Sequence, residues 1–239
     1  MTPCLGLNID HIATLRQARG INAPDPVQAA KTALTLGVDY IVLHIRRDRR
    51  HVQEHDLQRL CAINRKIVHL EMANTKEMCE MALKYAPGSV CIVPEYPNEL
   101  TTSGGLKIDA KTENSLRALT GKLKRAGIKV SLFIDAKPDD VRKAKKIGAD
   151  IVELCTKDYS EAKNASLRAK LLEELSMCSI LAKELGIRVH SGHGLNLENA
   201  ADVAAIDGME CLNIGFSIIA RAVFTGLPHA ILEMREAMK

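Results

Sequence analysis

Residues 37 to 44 read Gly-Val-Asp-Tyr-Ile-Val-Leu-His, an apolar run that opens at a glycine and ends on a polar residue. Glycine tolerates the left-handed conformation that closes a helix, and the apolar run is short enough for one buried strand. The phrase recurs at Gly88-Ser-Val-Cys-Ile-Val-Pro-Glu95, at Gly127 to Asp135, at Gly148 to Glu153, at Gly186 to His193 and at Gly208 to Gly215. A seventh version, Asn64-Arg-Lys-Ile-Val-His-Leu-Glu71, carries Asn at the closing position. The opening run Cys4-Leu5-Gly6-Leu7-Asn8 completes eight.

Helical patterns fill the intervals. Asp25-Pro26 supplies an N-cap followed by a proline in the first turn, ahead of Val27, Ala30 and Leu34 at helical spacing. Asp139 and Asp140 come early and Lys145 and Lys146 late in the stretch before Gly148, the order that a helix dipole favours. Strands that alternate with helices form parallel pairs, because each parallel crossover needs roughly a dozen residues. Eight such units in 239 residues predict an α/β fold, a closed (β/α)8 TIM barrel, as one domain over residues 1–239. A doubly wound open sheet is the alternative, but the first strand lacks the glycine-rich turn that a dinucleotide would require. Two segments exceed the minimal unit. Residues 95 to 106 form a polar loop with paired glycines, suited to a lid, and Ser160 to Leu185 leaves room for an extra helical turn or a second helix used in oligomer contact.

Composition narrows the function. Lys and Arg number 33 against 29 Asp and Glu, with no continuous basic block, so neither nucleic acid nor a membrane surface is expected as a partner. The seven cysteines are scattered, with no CxxC pair, which favours reduced thiols in a cytoplasm. The N-terminus has no signal-like pattern and no apolar window approaches a membrane span, so a soluble, cytoplasmic protein is expected.

In a (β/α)8 barrel the chemistry sits at the C-terminal ends of the strands. Here those ends carry Asn8 and Asp10, His44, Glu71, Glu95, Asp135, Glu153, His193 and Gly215. Asn8 and Asp10, two apart, would share one face of the first strand, with His11 beginning the turn and Arg16 and Arg19 following. Anion binding has two candidate places. Gly192-His193-Gly194 and Asn213-Ile214-Gly215, the latter opening a helix at Phe216, lie after the strands where barrels commonly hold phosphate. The other is Arg46-Arg47-Asp48-Arg49-Arg50-His51, together with Arg19. Two anion sites imply two phosphorylated substrates or one bisphosphate. His11, His44, Glu71, His190 and His193 are possible metal ligands, but the first strand shows Asn-x-Asp where metal-dependent barrel hydrolases show His-x-His, and His190 and His193 face opposite ways. No metal is expected, and Lys66 and Lys129 lie at strand starts, on the wrong side for a Schiff base.

The motifs NIDHIATLRQARG (8 to 20), PDPVQAA (24 to 30), HIRRDRRH (44 to 51), LEMA (70 to 73), VPE (93 to 95), TTSGGL (101 to 106), VSLFID (130 to 135), GHGLN (192 to 196) and LNIG (212 to 215) together resemble the pyridoxine 5'-phosphate synthase family across essentially the whole chain. The resemblance implies a (β/α)8 barrel, commonly octameric, without metal or organic cofactor. It would condense 1-deoxy-D-xylulose 5-phosphate with 3-amino-2-oxopropyl phosphate to pyridoxine 5'-phosphate, phosphate and water. By resemblance, Glu71 and His44 act as bases, His193 as an acid, and Glu153 stabilises developing positive charge. Asn8 would hold the amino substrate, while Asp10, His11, Arg46, His51 and Thr101 would contact the deoxyxylulose phosphate. Arg19 and the amides around Gly194 and Gly215 would complete the phosphate sites. One departure stands out, since the family pattern has His where this chain has Phe216. Another phosphosugar barrel, an isomerase or aldolase, and a non-catalytic phosphate-binding barrel are the competing readings.

Overall fold

The computed structural model describes residues 2–95 and 104–239. Eight parallel strands close in sequence order into one barrel, the (β/α)8 architecture. They are β1 (Cys4–Asn8), β2 (Tyr40–His44), β3 (Val68–Met72), β4 (Ser89–Ile92), β5 (Lys129–Ile134), β6 (Ile151–Cys155), β7 (Arg188–Gly192) and β8 (Met209–Ile214). Helices α1 (Asp10–Arg19), α2 (Pro26–Thr35), α3 (Glu54–Asn64), α4 (Lys76–Tyr85), α5 (Ala110–Arg125) and α6 (Pro138–Ile147) cover the first five crossovers, α1 and α2 sharing the first. The remaining helices are α7 (Lys157–Ser160), α8 (Ala165–Glu184), α9 (Ala200–Ala204), α10 (Phe216–Thr225) and α11 (Leu227–Ala237). The long segment after β6 therefore holds both a short extra helix and a helix of 20 residues.

The expected start signals operate. Asp25 accepts the Val27 N–H at 3.0 Å and Pro26 opens α2, while α6 places Asp139 and Asp140 in its first turn and Lys145 and Lys146 in its last. Gly37, Gly127, Gly148, Gly186 and Gly208 all take positive φ ahead of their strands. Two copies depart from the pattern. Ahead of Gly88 it is Ala86, at φ 45°, that closes α4. Asn64, expected to be left-handed, is extended at φ −163° and accepts the Lys66 N–H to start a short 3-10 turn. Its oxygen gives the chain a polar way out of α3 without any left-handed residue.

Strand alternation separates two interiors. Leu5, Leu7, Ile41, Leu43, Leu70, Val90, Val130, Leu132, Val152 and Leu212 point outward and join the helices' apolar faces in the main core. The inward row holds His69, Ser89, Ser131, Glu153, His190 and Asn213, all buried, alongside apolar residues such as Val42, Ile151, Cys211 and a small cluster of Cys91, Val93 and Phe133. Burying each large outward side chain is worth about 1.5–3 kcal/mol, so stability resides mainly outside the barrel wall.

One ion pair crosses the outer layer near the catalytic end. Arg16 of α1 grips Asp56 of α3 through both guanidinium arms at 2.7 and 2.8 Å, with the Asp56 side chain fully buried. Asp56 also accepts the Gln53 N–H, capping α3. Removing one partner leaves an uncompensated buried charge. Arg16→Ala should therefore lower unfolding free energy by about 3–5 kcal/mol, measured by urea denaturation. A loss of only a few tenths would mean that the pair is as weak as an exposed one.

Candidate active site

The mouth begins with His44, the last residue of β2. Its backbone N–H donates to Asp10 Oδ1 at 2.8 Å, which fixes the end of the strand against the first loop. Its ring Nε2 meets Glu95 Oε1 at 2.8 Å, and Glu95 Oε2 accepts the Arg47 N–H at 3.1 Å. Burial pushes Glu95 up, but the His44 hydrogen bond and charge, the Arg47 N–H and the Arg46 charge outweigh it and hold the carboxyl below its ordinary range. An ionised Glu95 can only accept, so His44 carries its proton on Nε2. The lone pair on Nδ1 is left facing the mouth, 3.9 Å from Glu71 Oε2.

Glu71, beside His44 in the β2–β3 register, is pushed well above the ordinary carboxylate range. Burial is the main cause, followed by the like charges of Glu153 and Asp10. Glu153 of β6 is buried and accepts the Asn213 amide at 2.7 Å. His69 Nε2 lies 3.6 Å from the same carboxylate, while its Nδ1 meets Ser89 Oγ at 2.6 Å. A carboxyl of raised proton affinity and one held by an amide thus stand in one site.

Asp10 is not on the strand as expected. β1 ends at Asn8, and Asp10 is the first residue of α1. The two still meet, because Asn8 Oδ1 accepts the Asp10 N–H at 2.8 Å and Asn8 Nδ2 donates to Asp10 Oδ2 at 3.0 Å. The alternation argument fails there because this Asx turn ends the strand and starts the helix.

Across the mouth, His193 and Gly194 both take positive φ, 87° and 79°. A side chain at Gly194 would also run into Ser160, so the turn requires glycine there. Thr156 Oγ1 donates to the carbonyls of Gly192 and His193, both at 2.7 Å, anchoring the turn. Gly215 caps α10, whose first amides have no partner within the helix, and Ser217 Oγ ties that helix start to the Leu195 carbonyl at 2.7 Å. The two glycine segments therefore present one amide-rich edge suited to an anion. Burial, with the Lys157 charge, lowers His193 below the usual imidazole range.

On the other flank, Arg46 is buried and reaches Asp48 at 3.3 Å. Arg50, then Arg46, hold the Asp48 carboxyl far below its usual range despite its partial burial. His51 sits with its ring 6.1 Å from that of His44, and its Nδ1 accepts the Val52 N–H. Burial lowers both His51 and His11, though the Asp10 charge opposes it. Phe216 packs edge-on against His11 at 5.1 Å between ring centres, so this position contributes a ring contact and a backbone N–H. Arg19 is not brought to the mouth of its own chain: it is exposed at the far end of α1, roughly 14 Å along the axis from Asp10. Thr101 and most of the 95–106 loop lie outside the described residues.

Among the described residues, two donor sets are close enough to hold a cation, Asp10 with His44 and Glu71, and His69 with Cys91 and Glu153. In the first set both Asp10 oxygens already accept protein hydrogen bonds. In the second, burial drives the Cys91 thiol far above its ordinary value and keeps it protonated, a poor ligand form. His69 and the role of Asn213 as Glu153's partner escaped the sequence reading. The one available signal was that His69 and Glu71, two apart on a strand, must face the same way.

Asp135 of β5, another carboxylate at a strand end, is committed to structure, accepting the Gly105 N–H at 2.7 Å and Lys137 at 2.9 Å. All seven cysteines are free thiols, and no helix among the described residues is long and apolar enough to cross a membrane.

The fold recurs in solved enzymes of low identity. Phosphoribosyl anthranilate isomerase from Thermus thermophilus shares 11% identity at a TM-score of 0.60, with 98% of each chain covered. A likeness of that kind shows the barrel alone. Sequence relatives are far nearer. The pyridoxine 5'-phosphate synthase of Elusimicrobium minutum is 56% identical over 239 residues, covering 100% of this chain and 99% of the relative. That of a Synechococcus strain is 50% identical over 234 residues, covering 98% of each. Residues 5–239 match the family described as Pyridoxal phosphate biosynthesis protein PdxJ. On that match, and with a mouth of carboxylates and histidines in the barrel position where enzymes of this fold work, the chain belongs to the PdxJ family of pyridoxal phosphate biosynthesis enzymes.

Proposed function

We propose that the chain condenses 1-deoxy-D-xylulose 5-phosphate with 3-amino-2-oxopropyl phosphate, closing the pyridine ring of pyridoxine 5'-phosphate and releasing phosphate and water. The observation that carries this reading is the juxtaposition of a raised Glu71, a His44 fixed by Glu95 and a buried Glu153 between two anion-binding flanks. Amine condenses with ketone, so the substrates supply the electrophile and the protein need only move protons and hold charges.

The geometry supports the following residue roles. His44 accepts a proton on Nδ1 while Glu95 stabilises the resulting imidazolium through Nε2. Glu71 shuttles a proton, its affinity for one raised by burial and like charges. Glu153, held by Asn213, offers a fixed negative charge to a developing iminium. His193 is neutral in the free protein, since burial and Lys157 lower it. A phosphate dianion on the adjacent amides would counter both effects, so the acid role is acquired with the substrate. Arg46, His51 and His11 hold the deoxyxylulose phosphate and Asn8 the amino substrate.

Self-association belongs to the same reading. Val223 and Phe224 of α10 are 70% and 86% exposed, and Met177 and Ile180 of α8 are also bare in the single chain. We take the chain to be a cytoplasmic homo-oligomer, an octamer by the resemblance. Phe224→Asp should lower the mass seen by light scattering, and an unchanged mass would remove α10 from the interface.

The decisive assay mixes the purified protein with both substrates and follows pyridoxine 5'-phosphate by mass and absorbance. Turnover of one phosphorylated substrate alone would favour the isomerase or aldolase reading. Glu71→Gln should cut kcat by roughly 100-fold or more with substrate binding largely kept. The acid limb of kcat/KM against pH should lie above the ordinary glutamate value of about 4.3, because Glu71 must lose its proton to act as a base. Glu153→Gln removes a like charge and lowers Glu71's proton affinity, so this limb should move to lower pH as kcat falls. An unmoved limb would show that Glu71 does not set it.

A further inference from the structure

The opposite end of the barrel holds a cavity of about 400 Å³ that the chemistry above does not use. It opens between the first residues of five strands, among them Tyr40, Lys129 and Arg188, and Arg65 and Lys66 stand at its rim. Four cations line it and no carboxylate does. Arg188 is engaged, with Nε on Glu210 at 2.6 Å and the Tyr40 hydroxyl beside it. Arg65, Lys66 and Lys129 form no ion pair among the described residues.

His190 also lines this cavity, and its ring is the strongest pointer to a ligand. It is 3% exposed, yet neither Nδ1 nor Nε2 has a hydrogen-bond partner. A neutral imidazole carries one N–H and one bare nitrogen, and leaving both unmet in a buried place costs free energy. Around it stand the His69 ring at 5.7 Å and the Tyr40 ring at 6.2 Å between ring centres, and the charges of Arg188 and Lys129. An oxyanion entering the cavity would accept its N–H.

We propose that this N-terminal mouth is a second anion site, which binds inorganic phosphate or a small phosphate monoester. A tetrahedral dianion offers enough oxygens for Lys66, Lys129, the Arg188 guanidinium and the His190 N–H at once, which a single carboxylate does not. The volume exceeds that of phosphate alone and leaves room for the body of a small metabolite. The site stands on the face remote from Glu71 and rests on none of the roles assigned at the other mouth.

The test uses the full chain and radiolabelled orthophosphate in equilibrium dialysis. Lys66→Ala/Lys129→Ala, both exposed positions, should lose one equivalent of bound phosphate per chain or weaken it by roughly tenfold or more. Arg46→Ala, which disturbs the catalytic flank, should retain that equivalent. In crystals soaked with tungstate, an anomalous peak should lie between Lys129, Arg188 and His190. The ends of α4 and α5 reach this face, so the cations could instead serve only the helix dipoles. That role predicts a lower Tm with phosphate binding unchanged, and such a result overturns the proposal. So does a tungstate peak with no difference in solution, an adventitious ion only, or a cavity holding water alone. If the alanine pair does not fold, Lys66→Gln/Lys129→Gln is read by the same criteria.

Discussion

Parallel strands send alternate side chains inward, and in this barrel much of the inward row is polar. His69, Ser89, Ser131 and His190 belong to it, with Glu71, Glu153 and Asn213 toward the catalytic end. A (β/α)8 interior is usually filled by branched apolar residues. Here the outward faces and the helices carry the apolar packing instead. Stability and chemistry are thereby assigned to opposite sides of one wall. Each buried polar group there needs a partner, and partners are few: His190 and Ser131 Oγ have none among the described residues.

That scarcity sets the charge states at the mouth. Glu71 and Glu95 are the same residue type a short distance apart, yet burial with two like charges raises one, while His44 and the Arg47 N–H hold the other down. Divergent environments of this kind divide acid–base labour between identical side chains. Glu95 can then fix the tautomer of His44, and Glu71 can carry a proton beside it. Neither behaviour is intrinsic to glutamate. Both come from what the barrel places next to it.

The strands and the order of the mouth were legible because they rest on local pattern. Runs such as Gly37 to His44 announce a helix end, a buried strand and a polar exit, and every one of the eight became a strand. The convergence of His44, Glu71 and Glu153 then followed from topology alone. Partnerships were not legible, since closure chooses them. Glu95 meets His44 from 51 residues away, Asn213 meets Glu153 from 60, and Arg16 meets Asp56 from 40. Turn chemistry misled at two points, where Asn8 ended its strand before Asp10 and Asn64 capped a 3-10 turn. Arg19 failed for a simpler reason, because a helix of ten residues carries its last side chain away from the mouth where it starts.

Closure is itself a condition of the chemistry. β1 pairs with β8 through Gly6 and Asn213, and a Cβ on Gly6 would occupy the space taken by the Asn213 amide oxygen. The absent side chain lets that amide turn its nitrogen toward Glu153, at 2.7 Å. Without this donor Glu153 would be a buried carboxylate with His69 as its nearest partner, 3.6 Å away. A buried carboxyl short of donors is costly to keep, so the negative charge that the mouth needs depends on this amide. The charge on β6 is therefore secured from β8 across space that β1 leaves open, and it exists only when the last strand has met the first.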